Sequence, residues 1–156
     1  MITRELQTLW WDWLGTSERL LRSLHEQTAA VTLRDVARVE RIQPELDTLL
    51  ERVRSIDESA AACAKKLAED LGTEPNLRSL VCALEKVEAQ QLQGLANRVM
   101  VAARNLQEVL AKNRTLIENE LTYVNGSLTL IAKAAVEGGG KFAVTGKTAV
   151  LVDHAA

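Results

Sequence analysis

The sequence predicts an all-α protein: an antiparallel three-helix bundle or coiled coil, with a long third helix overhanging the body and a short extended tail. Three observations predict it. Leu and Ala abound while aromatic residues make up only 3% of the 156, and such a composition suits helices. From Val39 to Leu67 apolar residues alternate steps of three and four without a slip, a heptad seam of about four repeats. Before the glycines at 138–140, Thr73-Glu74-Pro75-Asn76 is the one tight-turn sequence, so the helices are few and long. These divide the chain into a helical bundle over 1–136, with helices over about 2–30, 33–71 and 76–136, and a Gly-rich hinge with an extended or flexible tail over 137–156.

In the first helix Leu6, Trp10, Trp13, Leu14, Leu20, Leu21 and Leu24 share one broad face, which Gly15 and Thr16 weaken without breaking its register. Trp10 and Trp13, three apart, belong to the core side; Trp11 points elsewhere, toward the end of the bundle. His25 has no second ligand nearby, so a surface histidine is expected and no metal site.

The second helix opens at Thr32, an N-cap oxygen, with Asp35 as an early acid. Its seam is Val39, Ile42, Leu46, Leu49, Val53, Ile56, Ala60, Cys63 and Leu67. Pro44 removes the hydrogen bond to the carbonyl of Glu40, but the seam is in phase on both sides, which predicts a kink within one helix. Gly72 ends it. Cys63 and Cys82 are solitary, fall on helical core positions and read as reduced thiols.

The third helix opens with Leu77, Leu80, Leu84 and Val87, shifts phase around Gln91 to Leu95 and resumes as Leu95, Val99, Ala102, Leu106 and Val109. Such a shift reads as a stutter in the supercoil. At 1.5 Å per residue the helix would be roughly 90 Å long, against roughly 55–60 Å for the second and about 40 Å for the first. Short turns make the three alternate in direction, so the third runs back along the second and passes its far end near residue 115. There an apolar stripe begins: Ile117, Leu121, Val124, Leu128 and Ile131, at helical spacing, opposite a polar face of Arg114, Glu118, Asn119, Thr122 and Asn125. Three fates are open to it. It can bind a partner, make a homodimer, or fold back on the body through a break at Asn125-Gly126.

Net charge is −2 and the isoelectric point about 5.8, with no basic run, so a phosphate-tracking nucleic-acid surface is disfavoured. No apolar run approaches the roughly 18 residues that span a bilayer. Met1 to Leu6 carries both charges and no signal-peptide pattern, which predicts a cytoplasmic protein without direct membrane insertion. Gly146-Lys147-Thr148 matches the end of a phosphate-binding loop, but the motif needs glycine at 141, where Lys141 stands. No strand precedes it and no helix follows to hold a phosphate. His154 is alone in the tail and no Ser, His and Asp share a suggestive spacing, so no enzyme, cofactor or catalytic residue is expected. Val150-Leu151-Val152 has the composition to pair as a strand with Phe142 to Thr145, or with a partner's sheet edge.

The end of the chain also carries a resemblance. Lys112-Asn113-Arg114-Thr115-Leu116-Ile117, then Leu121-Thr122-Tyr123-Val124, then Gly138-Gly139-Gly140-Lys141-Phe142 and Gly146, is similar to the carboxy-terminal signature of the FlgN-like flagellar export chaperones. That resemblance implies a cytoplasmic type III export chaperone that binds the terminal helices of hook-filament junction proteins, prevents their early assembly and delivers them to the export gate. It implies partner binding by Asn113, Leu116, Ile117, Leu121, Val124, Leu128 and Ile131. It also implies a tail aromatic at the export gate, for which Phe142 is the nearest match, without the hydroxyl of the tyrosine in the family pattern. Five or six aliphatic side chains at roughly 1.5–3 kcal/mol each supply on the order of 10 kcal/mol. Ordering a disordered client removes about 2–5 kcal/mol; association entropy takes a further share, leaving micromolar to high-nanomolar affinity on the order expected of a releasable partner.

Overall fold

The computed structural model describes the backbone of residues 1–137, and their side chains except those of Val124, Ser127, Leu128 and Glu137. Over these residues the protein is an all-α bundle of four helices: α1 (Arg4–Thr32), α2 (Val36–Leu71), α3 (Leu77–Ala83) and α4 (Lys86–Glu137). The extended tail expected beyond residue 140 lies outside the described residues, as do Phe142, Gly146 and Lys147.

The heptad seam of α2 is its inner face. Ile42, Leu46, Leu49, Ile56, Ala60 and Leu67 are buried, and Val39, Val53 and Cys63 half-buried. Pro44 sits on the exposed side, and both halves of the seam belong to one uninterrupted helix. The cap is Asp35, not Thr32: α1 runs on through Thr32, and the Asp35 carboxylate accepts from the Arg38 N–H at 3.2 Å. Cys82 is exposed on α3 rather than in the core; only Cys63 is partly enclosed, and burial raises its thiol pKa.

The third expected helix is two. Leu84 takes an extended backbone, ψ 158°, and α4 starts afresh at Lys86, its Ala89 N–H bonding the Glu85 carbonyl at 2.8 Å. The break resets the helical phase, which is why the pattern looked like a stutter. Past it Glu88, Leu92, Leu95, Leu106 and Asn113 are buried and Val99, Ala102 and Val109 half-buried, an unbroken heptad. Leu92, fully enclosed, belongs to neither of the two expected patterns, and Val87, expected in the core, is exposed.

α1 is the central helix. α2 returns antiparallel to it through the short turn at 33–35, and α4 lies along α1, parallel to it, rather than along α2. Two apolar clusters result. Around Trp13, Leu20, Leu24, Ile42, Leu49, Ile56 and Leu106 the three long helices meet. At the other end Leu6, Leu67 and Leu92 close under Leu80 of α3. α4 has 52 residues, about 78 Å at 1.5 Å per residue, against about 43 Å for α1.

Candidate functional site, the projecting end of α4

Three polar contacts fix how far α4 projects. At the start, the Thr3 N–H and hydroxyl both donate to Glu88 Oε1, at 3.0 and 2.8 Å. A carboxylate from α4 thus sits at the positive end of α1, and those bonds, the backbone one foremost, hold its pKa below the usual carboxylate range. Near the end of α1, Asn113 is buried at 3% exposure. Its amide donates to the Leu24 carbonyl at 2.8 Å and Gln27 Oε1 at 3.0 Å, and its oxygen accepts from the Thr28 hydroxyl at 2.6 Å. In the turn beyond, Arg34 Nε bonds Glu120 Oε2 at 2.8 Å, and its guanidinium lies 4.3 Å from the Tyr123 ring centroid. The hydrogen bond to Glu120 raises the arginine pKa further, so the guanidinium stays charged. The separations in sequence are 85, 85 and 86 residues, so α1 and α4 run in one constant register. A slip by one heptad would break all three contacts at once and move the projecting end by about 10 Å.

Beyond Glu120 α4 continues as helix to Glu137, with no break at Asn125-Gly126, so the fold-back is absent. That is about 25 Å of helix at 1.5 Å per residue. Its only charged residues are Lys133 and Glu137. Leu130 is 69% exposed, Ile131 62% and Val136 75%.

The expected partner-binding residues therefore divide. Asn113 is corrected: it is enclosed by α1 and locks the register, so its side chain is not offered to a partner. Leu116, Ile117 and Leu121 are half-buried at the root of the projection and Ile131 is exposed. Val124 and Leu128 lie on the same helix, their side chains outside those described, and Phe142 lies beyond the described residues. Sequence reasoning missed Leu130 and Val136, exposed apolar residues off the stripe; the signal was the scarcity of charge all round this segment rather than the period along one face. Trp11 is exposed beside the first quarter of α4, with the Arg98 guanidinium 5.6 Å from its ring centroid, rather than capping the end of the bundle.

Elsewhere, an open hollow between α1 and α2 is edged by Arg19, Arg22, His25, Glu26, Arg38 and Glu45. Among the described residues no three His, Cys, Asp or Glu side chains are grouped to hold a metal ion, and no helix is long and apolar enough to cross a membrane.

A family model described as FlgN protein matches residues 1–142. The chain belongs to the FlgN family. No curated protein and no solved structure matches it. FlgN proteins are chaperones of flagellar export and not an enzyme family, so membership makes this chain a flagellar export chaperone that binds export substrates. In this FlgN chain the match runs through the whole bundle and the whole projecting helix.

Proposed function

We propose that this cytoplasmic chaperone binds the terminal helical segment of hook-filament junction proteins on the projecting end of α4, prevents their premature assembly and delivers them to the export gate. The observation that carries the reading is a helix of about 25 Å, nearly free of charge, held clear of its own bundle with Leu130, Ile131 and Val136 exposed. A client helix would cover Ile117, Leu121, Val124, Leu128 and Ile131 through its own i, i+3, i+4 and i+7 apolar positions. Leu116 supports the root of that surface. Phe142, in the tail, is the proposed contact with the export gate. The surface is purely aliphatic, so binding would be strong enough to mask the client and weak enough to release it.

The test is calorimetric titration of the full chain with the carboxy-terminal fragment of a hook-filament junction protein, beside sedimentation of the free chain. One-to-one saturable binding that Leu128→Asp with Ile131→Asp abolishes, at unchanged melting temperature, is the expected result. No heat at high micromolar concentration, with a tight dimer that the double variant dissociates, would replace the reading with a structural homodimer.

A further inference from the structure

Two helices of the bundle end in the same backbone device. At the end of α2 the Gly72 N–H bonds the Glu69 carbonyl at 3.2 Å and the Thr73 N–H the Ala68 carbonyl at 2.9 Å, with Gly72 left-handed at φ 65°. At the end of α1 the Arg34 N–H bonds Val31 at 3.0 Å and the Asp35 N–H bonds Ala30 at 2.9 Å, and the left-handed position, φ 55°, is Arg34. This is the Schellman arrangement, which favours glycine because a Cβ strains that conformation. Among the described residues Arg34 is the one non-glycine residue at positive φ. A strained residue persists where something else requires it.

What the arginine adds is its side chain. It reaches across to α4 where that helix leaves the bundle, pairing Nε with Glu120 and laying the guanidinium over Tyr123. Glu120 and Tyr123, three apart, continue the face that runs from Leu92 through Asn113 along α1. The stripe positions 117, 121, 124, 128 and 131 lie one residue, about 100°, further round. Arg34 thus grips the projecting helix by the edge next to the stripe, and the stripe's Ile131 is exposed.

We propose that Arg34 is a positioning residue for client docking: a strained turn aims its guanidinium into a clasp on Glu120 and Tyr123 that sets the direction of the α4 projection. This rests on the reading that the client docks there. Holding the helix in one direction before the client arrives removes ordering that binding would otherwise have to supply.

The experiment compares the wild-type full chain with Arg34→Gly and Arg34→Ala. Both remove the clasp, but only glycine relieves the backbone, so Arg34→Gly should melt about 2–4 °C above Arg34→Ala. In both, α4 amides just beyond Glu120 should exchange several-fold faster than in wild type. Raising salt from 0.1 to 1 M, which shortens the screening length from about 10 to 3 Å, should speed wild-type exchange there and leave Arg34→Gly unchanged. Affinity for the junction-protein fragment should fall by about 3- to 10-fold in both variants, the range expected when one group's ordering is lost. Unchanged exchange beyond Glu120 in Arg34→Gly overturns the clasp. Faster exchange with unchanged affinity overturns its role in docking. If the wild-type chain itself does not bind the fragment, the docking site is wrong, and the exchange data still decide whether Arg34 holds the helix.

Discussion

Replacing Asn113 by alanine should weaken the bundle more than its single amide would indicate, because the residue closes a buried network. Its amide is the donor to Gln27 Oε1, and Gln27 is itself only 8% exposed. Stranding that acceptor costs about 1–3 kcal/mol, and losing the bonds to Leu24 and Thr28 adds about 1 kcal/mol more. The Thr28 hydroxyl recovers part of this, since it also lies 2.9 Å from the Leu24 carbonyl. A total of about 2–4 kcal/mol corresponds to a fall in melting temperature of roughly 6–12 °C for a chain of this size. Thermal unfolding followed by circular dichroism at neutral pH measures it. A second readout separates register from stability: Asn113→Leu fills the space without strict pairing, so α4 should lose its fixed setting against α1 even where the melting temperature recovers. Spin labels at exposed Ala29 and Glu118 would then report a broadened distance. A fall below about 1 °C in Asn113→Ala, with a single sharp distance in Asn113→Leu, would refute the network as the register lock.

Other outcomes follow from the same contacts. Glu88, whose pKa is lowered in the folded protein, contributes stability that is present above the unfolded carboxylate pKa and is lost as pH falls through the lower folded value. Glu88→Gln should therefore be less stable than wild type at pH 7, with the gap closing in acid; a gap that widens in acid contradicts the assignment. At Gly126 a Cβ would meet nothing within 4 Å, so Gly126→Ala should strengthen the projecting helix by about 1 kcal/mol and slow exchange of its amides; faster exchange would show that the glycine is required there.

How far the sequence spoke for this structure can be traced residue by residue. The α2 seam from Val39 to Leu67 was legible because one helix buries one face, and burial writes a period of 3.5 into the chain. The break between α3 and α4 was not. Leu77, Leu80 and Leu84 keep helical spacing up to the break, and no glycine or proline marks Leu84-Glu85. What betrays it is Val87, an apolar residue left exposed once the phase is reset. The partner of α4 was also illegible, since a heptad states that a face is covered but not by which helix. The pairings that settle it, Thr3 with Glu88 and Thr28 with Asn113, are polar and distant in sequence. At the candidate site, the stripe from Ile117 to Ile131 was readable as a helical face, whereas the Arg34 clasp depends on a left-handed backbone that an arginine does not announce.

The central claim is that the client docks on α4 beyond Glu120 while the bundle stays as it is. Hydrogen exchange of the full chain, free and saturated with the carboxy-terminal fragment of a hook-filament junction protein, tests it most directly. The account predicts strong protection gained by α4 amides from about residue 117 to 137, and little change in α1, α2 and α3. Protection concentrated along α1 and α2 instead, with the end of α4 exchanging as in the free protein, would contradict it.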